Sequence, residues 1–207
     1  MLIPDRVPLP EQLTTSGLMA IIRSTSAEAA EASALSLARA GIRMLEISFT
    51  TPGAAGAIRR VRDALPVDVL VGAGTVLNRD DASEALGHGA EFLVSPGFDA
   101  AVADLALEAR VGYYPGALSP TEVLAAWRAG ATAVKVFPAG TFGLDYFRAL
   151  REPLPHIELL AVGGVSVEHA PAFLSAGAVA VGLGGALSEP DTDLPSLIAT
   201  LSHAVGR

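Results

Sequence analysis

Short apolar runs alternate with amphipathic stretches along the whole chain, and one run with its following stretch occupies roughly two dozen residues. The apolar runs predict eight buried strands, which are Leu18–Ile22, Met44–Ile47, Val69–Val71, Phe92–Val94, Gly112–Tyr114, Ala133–Val136, Leu159–Val162 and Val179–Val181. The amphipathic stretches predict eight helices, which are Ala27–Ala40, Pro52–Leu65, Arg79–Gly87, Ala100–Ala109, Pro120–Ala129, Leu144–Leu150, Val167–Ser175 and Leu194–Val205. Each predicted strand is thus followed by a predicted helix.

Two features of these segments indicate how they assemble. The strands are apolar without alternating polar residues, as in a parallel sheet that is covered on both faces. Ser26 and Ser119 stand directly before two of the helices, where a hydroxyl caps the first turn. Eight strand–helix units predict a single (β/α)8 barrel domain over residues 1–207, with a doubly wound open sheet as the alternative. A short N-terminal helix near Pro8–Thr15 is expected to close the bottom of the barrel.

The composition excludes several classes of protein. Hydrophobic residues make up 51% of the chain and charged residues 17%, well below the ~25% charged share of an average globular domain. Much of the chain must therefore be buried, and disorder is excluded. The net charge is −8 and the one dense basic run, Arg59-Arg60-Val61-Arg62, has the spacing of a solvated helix face, so no nucleic-acid partner is predicted.

Neither a metal site nor a membrane segment is predicted. The histidines are scattered without metal-ligand spacing, at His88, His156, His169 and His203. The uncharged stretch Ala170–Leu187 is broken by glycines, which favours a helix end, a turn and a buried strand over a membrane span. The absence of cysteine fits a reducing compartment, and the N-terminus lacks the order of a signal peptide. We expect a cytoplasmic, soluble protein.

Lys135 is the one lysine in the chain, whereas thirteen arginines supply every other basic side chain. It lies within the predicted sixth strand, Ala133–Val136. Arginine keeps its proton in a protein, but a buried lysine can lose it and become a nucleophile toward a carbonyl carbon. Lys135 is therefore the candidate nucleophile. The alternative is a structural lysine that reaches solvent or pairs with Glu46, in a chain whose lysine scarcity reflects GC-biased composition.

Two further charged residues stand at strand ends, where barrel enzymes place their active sites. Glu46 closes the second strand and is followed by Ser48, Thr50 and Thr51. Its carboxyl group could carry protons, or it could simply balance the charge of Lys135. Arg23 follows the apolar residues of the first strand. Its guanidinium group matches a substrate carboxylate in two hydrogen bonds.

Glycine turns follow the last two strands, at Gly163-Gly164 and Gly184-Gly185. In many barrels this position binds phosphate through backbone N–H groups and a helix N-terminus. A third glycine string, Gly72-Ala73-Gly74-Thr75, has Leu77 where a dinucleotide fingerprint has its last glycine. A nicotinamide cofactor is therefore not predicted.

Six ordered motifs resemble one known family. They are Leu45-Glu46-Ile47, Val71-Gly72-Ala73-Gly74-Thr75-Val76-Leu77, Val94-Ser95-Pro96-Gly97, Tyr114-Pro115-Gly116, Val134-Lys135-Val136-Phe137-Pro138-Ala139 and Val162-Gly163-Gly164-Val165. From about Leu18 to Leu187 the chain resembles the class I aldolases that cleave 2-keto-3-deoxy-6-phosphogluconate, its galactonate epimer and 4-hydroxy-2-oxoglutarate. The resemblance implies a (β/α)8 barrel, a homotrimer, a small-molecule 2-keto acid substrate, and neither metal nor organic cofactor.

The resemblance also assigns roles to residues of this chain. Lys135 would form a Schiff base with the pyruvate half of the substrate, and Glu46 would shuttle protons. Arg23 and Thr75 would bind the pyruvate carboxylate. The remaining site residues would be the pocket walls Pro96 and Phe137 and the phosphate-binding glycines Gly163, Gly164, Gly184 and Gly185. The products would be pyruvate and glyceraldehyde 3-phosphate.

Two departures from the family pattern bear on the substrate. Gluconate-type members often carry an arginine where this chain has Thr50, and the turn after the last strand commonly ends in a serine where this chain has Gly185. The first departure leaves Arg23 as the nearby guanidinium group, a pattern closer to the galactonate-type members. The second makes a 4-hydroxy-2-oxoglutarate or unphosphorylated 2-keto-3-deoxy acid substrate the alternative. A phosphosugar isomerase is disfavoured because this chain has no Asp or His base at a strand end. A metal-dependent aldolase is disfavoured because the two carboxylate ligands at adjacent strand ends are missing. A non-catalytic sugar-acid-binding barrel is disfavoured because Lys135 and Glu46 are both present.

Overall fold

The computed structural model describes residues 6–189 and 191–205 of the chain. The strands within these residues are β1 Leu18–Ile22, β2 Met44–Ser48, β3 Leu70–Gly74, β4 Phe92–Val94, β5 Gly112–Tyr114, β6 Gly116–Ala117, β7 Val134–Val136, β8 Leu159–Val162 and β9 Ala180–Leu183. The α-helices are α1 Glu11–Ser16, α2 Ala27–Arg39, α3 Ala54–Ala64, α4 Arg79–Gly87, α5 Ala100–Ala109, α6 Pro120–Arg128, α7 Ala139–Arg151, α8 Ala170–Ser175 and α9 Leu194–Val205, and a 3₁₀ turn covers Gly185–Ser188.

The strands form a closed parallel barrel. Their order is β5-β4-β3-β2-β1-β9-β8-β7-β6, and the two outermost members are halves of one strand that Pro115 interrupts. The first half pairs with β4 and the second with β7, and the Lys135 N–H donates to the Pro115 carbonyl over 2.9 Å to bridge the break. The predicted (β/α)8 barrel is therefore confirmed, and the open sheet is wrong.

Strand alternation divides the buried apolar residues into two sets. One set fills the interior of the barrel and includes Met19, Met44, Phe92, Tyr114 and Leu160. The other faces outward and packs against the helix layer, for example through the neighbouring strand residues Leu45 and Leu159. Because successive side chains on a strand point to opposite faces, residues two positions beyond an inward one also point inward. This alternation brings Glu46 and Lys135 to the inside.

Helix α1 closes the N-terminal end of the barrel, as expected from the sequence. Leu13 is fully buried and packs with the interior set, close to Met19 and Met44. The helix ends at Gly17, whose left-handed backbone (φ 63°) suits a residue without Cβ. The opposite end of the barrel is left open for a site.

Several element bounds differ from those expected. Strand β3 extends to Gly74 rather than ending at Val71, because its last residues are small and carry no hydrophobic signal. Helix α7 begins at Ala139 rather than Leu144, and the non-helical backbone of Gly143 (φ 80°, ψ 177°) breaks its apolar periodicity. The fifth strand continues past Pro115 to Ala117.

The basic run of α3 lies on the outside of the barrel. Arg60 pairs with Glu31 and Arg62 pairs with Glu91, so the basic run of α3 lies on the outer helix layer among carboxylates. The uncharged stretch that follows His169 forms α8, β9 and the 3₁₀ turn. In residues 6–189 and 191–205, no helix is long and apolar enough to cross a membrane, and no group of three Asp, Glu or His side chains is placed to share a metal ion.

Candidate active site

A cavity of about 850 Å³ opens at the carboxyl ends of the barrel strands. All ten residues singled out from the sequence line it, namely Arg23, Glu46, Thr75, Pro96, Lys135, Phe137, Gly163, Gly164, Gly184 and Gly185. They come from seven different strand ends or the loops that follow them, so the closure of the barrel is what brings them together.

Lys135 is the central residue of β7 and points into the barrel two positions after the inward Ala133. Only 6% of it is exposed, and its Nζ lies 4.9 Å from the centroid of the Phe137 ring. Burial lowers the pKa of the Lys135 amine; Glu46 opposes this lowering by its negative charge, and Arg23 adds to it. These surroundings favour a neutral, nucleophilic amine.

Glu46 occupies the equivalent inward position on β2, two residues after Met44. It is 2% exposed, and its buried Oε2 has no hydrogen-bond partner. Burial raises the pKa of the Glu46 carboxyl, while the charges of Lys135 and Arg23 act in the opposite direction. An unpaired buried carboxyl oxygen is costly unless it is protonated or meets a ligand.

Lys135 and Glu46 act on each other electrostatically rather than as a bonded pair. Each contributes to the pKa of the other, yet the ion pairs in the described part of the chain do not include them. Burial moves the pKa values of these two groups toward each other, as is common for pairs of acids and bases at active sites.

The mouth of the cavity carries a cation and a hydroxyl group. Arg23 is exposed just beyond the end of β1. Thr75 directly follows β3 and has a left-handed backbone, with φ 58°. Its hydroxyl lies 2.8 Å from the hydroxyl of Ser48, at the end of β2. Threonine is an uncommon residue for this backbone region.

The part of the cavity at the ends of β8 and β9, termed its far end, is formed by closely approaching backbone. The Gly140 N–H at the start of α7 donates to the Gly163 carbonyl over 2.8 Å, and a Cβ at position 140 would stand 2.0 Å from the Gly164 carbonyl oxygen. Gly163 and Gly164 both have positive φ, at 88° and 73°. Gly184 and Gly185 lead into the 3₁₀ turn on the neighbouring strand end.

Four polar residues at this far end were missed by sequence reasoning: Thr141, Ser166, Ser188 and Glu189. They belong to loop or helix-end segments without a recognisable motif, and only their position shortly after the glycine turns could have indicated them. Glu189 adds a carboxylate to a region that the sequence predicts to bind phosphate. Ser166 is already engaged with His169, whose Nδ1 lies 2.9 Å from its hydroxyl.

A parallel barrel that buries an amine and a carboxyl group at the carboxyl ends of its strands holds the two groups that a lyase acting through an imine requires. Comparison with known proteins agrees. The model of the KDPG and KHG aldolases matches residues 9–195, and the chain belongs to this family. It is therefore an aldolase, a member of the lyases.

Three relatives show the extent of the similarity. A probable 2-dehydro-3-deoxy-6-phosphogalactonate aldolase of Rhizobium meliloti (strain 1021) is 36% identical over 90% of this chain and 87% of its own. The native KDPGal structure superposes with a TM-score of 0.80 at 30% identity, covering 90% of this chain and 93% of its own. The KDPG aldolase from Legionella pneumophila, with pyruvate captured at low pH as a covalent carbinolamine intermediate, has a TM-score of 0.76 at 26% identity and covers 94% and 96%.

Proposed function

We propose that the protein is a class I aldolase that reversibly cleaves a 2-keto-3-deoxy-6-phospho sugar acid of the gluconate or galactonate type into pyruvate and glyceraldehyde 3-phosphate. The observation that carries this proposal is the shared burial of the Lys135 amine and the Glu46 carboxyl in one cavity. The names of the relatives support the substrate class, since they act on phosphorylated keto-deoxy acids, and one binds pyruvate as a carbinolamine.

Lys135 provides the nucleophile in this proposal. Its neutral amine attacks the C2 carbonyl carbon of the substrate to give a carbinolamine, which loses water to form a protonated imine. The C3–C4 bond then breaks, its electrons move to the imine nitrogen, and C4 leaves as the aldehyde. The resulting enamine takes a proton at C3, and water releases pyruvate and restores the amine. The lowered pKa of the Lys135 amine favours this first step, because it increases the neutral fraction of the nucleophile.

Glu46 moves the protons. In its ionised form it accepts the proton of the C4 hydroxyl as the C3–C4 bond breaks, and it returns that proton to C3 of the enamine. The raised pKa of its carboxyl suits a group that must both accept and donate. Its buried Oε2 lacks any protein donor, so it is available to a substrate hydroxyl.

The two ends of the cavity hold the two ends of the substrate. Arg23 and Thr75 bind the pyruvate carboxylate, and the walls Pro96 and Phe137 exclude water from the imine. The glycine turns, Gly163-Gly164 and Gly184-Gly185, bind the phosphate through their backbone N–H groups.

An unphosphorylated 2-keto-3-deoxy acid or 4-hydroxy-2-oxoglutarate is the second candidate substrate. A specific observation favours it: Gly185 offers no hydroxyl to a phosphate, and the carboxylate of Glu189 lies on the same wall. The carboxylate of Glu189 disfavours a dianionic phosphate group by charge repulsion, and among the unphosphorylated substrates it favours the 2-keto-3-deoxy acid, whose tail is uncharged, over 4-hydroxy-2-oxoglutarate, whose tail is a carboxylate. A homotrimer, a single domain over residues 1–207, a cytoplasmic location and independence from metals and cofactors complete the proposal, and they rest on composition and family resemblance.

Borohydride trapping with pyruvate tests the central step. Because Lys135 is the one lysine in the chain, the reduced pyruvyl adduct can form only there or on the N-terminal amine. We expect one adduct per chain, mapped to the peptide that contains Lys135, and loss of aldol cleavage in step with labelling. The Lys135→Met variant keeps a similar volume and should show neither. An unlabelled wild-type protein, or label confined to the N-terminus, would refute the Schiff-base mechanism.

A further inference from the structure

Three hydroxyl groups form a chain from the surface to the catalytic cavity. The Ser48 Oγ lies 2.8 Å from the Thr50 Oγ1 and 2.8 Å from the Thr75 Oγ1. Ser48 itself is completely buried at the end of β2, Thr50 is exposed in the loop beyond, and Thr75 lines the cavity. Ser48 is thus the buried link between solvent and the mouth of the site.

The protons of this chain can be arranged in two directions. The Ser48 hydroxyl has one proton to donate and two lone pairs to accept with, and the Thr50 N–H donates to it over a long 3.4 Å. In one direction Ser48 accepts from the Thr50 hydroxyl and donates to Thr75, which leaves the Thr75 proton free for the cavity. In the other direction Thr75 donates to Ser48 and has no proton to offer a ligand.

A carboxylate in the cavity selects the first direction. Carboxylates only accept hydrogen bonds, so a substrate carboxylate next to Thr75 requires the Thr75 proton. Each hydroxyl in a directed chain polarises the next, which strengthens the final bond to the anion. The exposed Thr50 can exchange hydrogen bonds with water at the other end, so the chain can reverse its direction without leaving a buried group unpaired.

The backbone of Thr75 gives a second reason why its hydroxyl must be held. A β-branched residue with φ 58° is conformationally strained, and such strain is retained where surrounding contacts impose it, often at functional sites. Two contacts do so here. The Ser48 hydroxyl engages the Thr75 side chain, and the N–H of the next residue, Val76, donates to the Val94 carbonyl over 3.1 Å.

We propose that Ser48 and Thr50 are positioning residues that orient and polarise the Thr75 hydroxyl toward the carboxylate of the 2-keto acid. The inference rests on the proposed function, because it assigns the carboxylate end of the substrate to Thr75. Neither residue lines the cavity, so they act on the substrate through Thr75. Their effect is confined to ligands with a carboxylate, and a neutral ketone that forms the same imine with Lys135 does not depend on them.

Borohydride trapping at varied ketone concentration measures this selectivity. The two probes are pyruvate and acetone, and the quantity compared is the half-saturating concentration for labelling Lys135. We expect Ser48→Ala to raise the value for pyruvate about ten-fold, which corresponds to ~1.4 kcal/mol, and to leave the value for acetone unchanged. Thr50→Val should raise the half-saturating concentration of pyruvate about three-fold. Thr50→Ser, which keeps the hydroxyl group, should have the wild-type value.

Thr132→Val is the matched control, because Thr132 is also a buried hydroxyl residue but accepts from the Tyr113 N–H just before β7, away from the cavity. It should label as the wild type does with both ketones. Equal loss of pyruvate and acetone labelling in Ser48→Ala would overturn the proposal, as would unchanged pyruvate labelling in both Ser48→Ala and Thr50→Val. If Ser48→Ala does not fold, the exposed Thr50 variants decide. Failure of the wild type to label at all would instead refute the proposed function.

Discussion

Gly74 lies so close to Glu46 that a Cβ at position 74 would stand 1.7 Å from the Glu46 Oε1. The two residues belong to paired strands, with Gly74 opposite Ser48 in the β2–β3 register. Gly74 is not among the glycines with positive φ, so its backbone would accept another residue. What requires glycine here is space, because the buried carboxyl group occupies the volume that a methyl group would take.

Gly74→Ala should therefore displace the Glu46 carboxyl and reduce catalysis more than stability. We expect kcat for aldol cleavage to fall by about 10²-fold or more, which is the order of a lost proton-transfer group, while the barrel still unfolds cooperatively. Steady-state kinetics and thermal unfolding measure the two effects. Gly97→Ala is the control, because a Cβ there meets nothing within 4 Å, and its kcat should equal that of the wild type. An unchanged kcat in Gly74→Ala would show that the position of Glu46 is unimportant.

Glu46→Gln separates proton transfer from imine formation. The amide retains the shape of the carboxyl group but cannot carry the proton between C4 and C3, so kcat should fall by about 10²–10⁴-fold. Pyruvate should still be trapped on Lys135 by borohydride, because the nucleophile is intact. Trapping by peptide mapping and turnover by a coupled pyruvate assay are measured on the same preparation. Loss of trapping together with turnover would place Glu46 in imine formation instead.

The stability of the protein should also report the ionisation of Glu46. Burial holds the folded-state pKa of this carboxyl above its ordinary value of 4.5, so its favourable contribution to stability is complete below pH 4.5 and is lost as the pH rises through the folded-state pKa. Glutamine does not ionise. The free energy of unfolding of Glu46→Gln, minus that of the wild type, should increase from acidic to neutral pH, as measured by denaturant titration at each pH. A difference independent of pH would contradict the raised pKa.

The apparent pKa of Lys135 should respond in opposite directions to its two charged neighbours. Burial lowers its pKa from 10.5, Arg23 lowers it further and Glu46 raises it. The rate of acetone trapping should therefore rise with pH with a midpoint below pH 10.5, since only the neutral amine attacks. Arg23→Gln should move the midpoint to higher pH and Glu46→Gln to lower pH. Midpoints near 10.5 in all three proteins would show that Lys135 is not desolvated.

Much of the barrel could be predicted because its strands are buried on both faces. β1, β4, β5 and β8 have the bounds expected from their apolar runs. The errors fall where hydrophobicity carries no signal. The predicted third strand stops before the glycine-rich end of β3. The predicted helix omits the start of α7, because Gly143 interrupts the helical periodicity.

The candidate site was predictable for a related reason. Side chains at the carboxyl ends of parallel strands converge once the barrel closes. Residues that the sequence places at strand ends, such as Lys135 and Glu46, are therefore expected to line the cavity, and they do. The relations between side chains could not be predicted in this way. The contact of Ser48 with Thr75, 27 positions apart in the chain, depends on strand register, and the inclusion of Glu189 in the cavity depends on the path of the last loop.

Gly185→Ser tests whether the far end of the cavity binds phosphate. Gly185 stands where the resemblance to the aldolase family implies a serine, and a Cβ there meets nothing within 4 Å, so the substitution should fit without rearrangement. A new hydroxyl donor to a charged oxygen is worth ~1.5 kcal/mol or more. We expect kcat/KM for a 2-keto-3-deoxy-6-phospho acid to rise about ten-fold and that for the unphosphorylated acid to stay constant. Gly185→Ala adds the Cβ without the hydroxyl and should leave both values unchanged. Equal values for the two substrates in the wild type, with no gain for the phosphorylated one in Gly185→Ser, would assign this end of the cavity to an uncharged tail, in agreement with the carboxylate of Glu189 on the same wall.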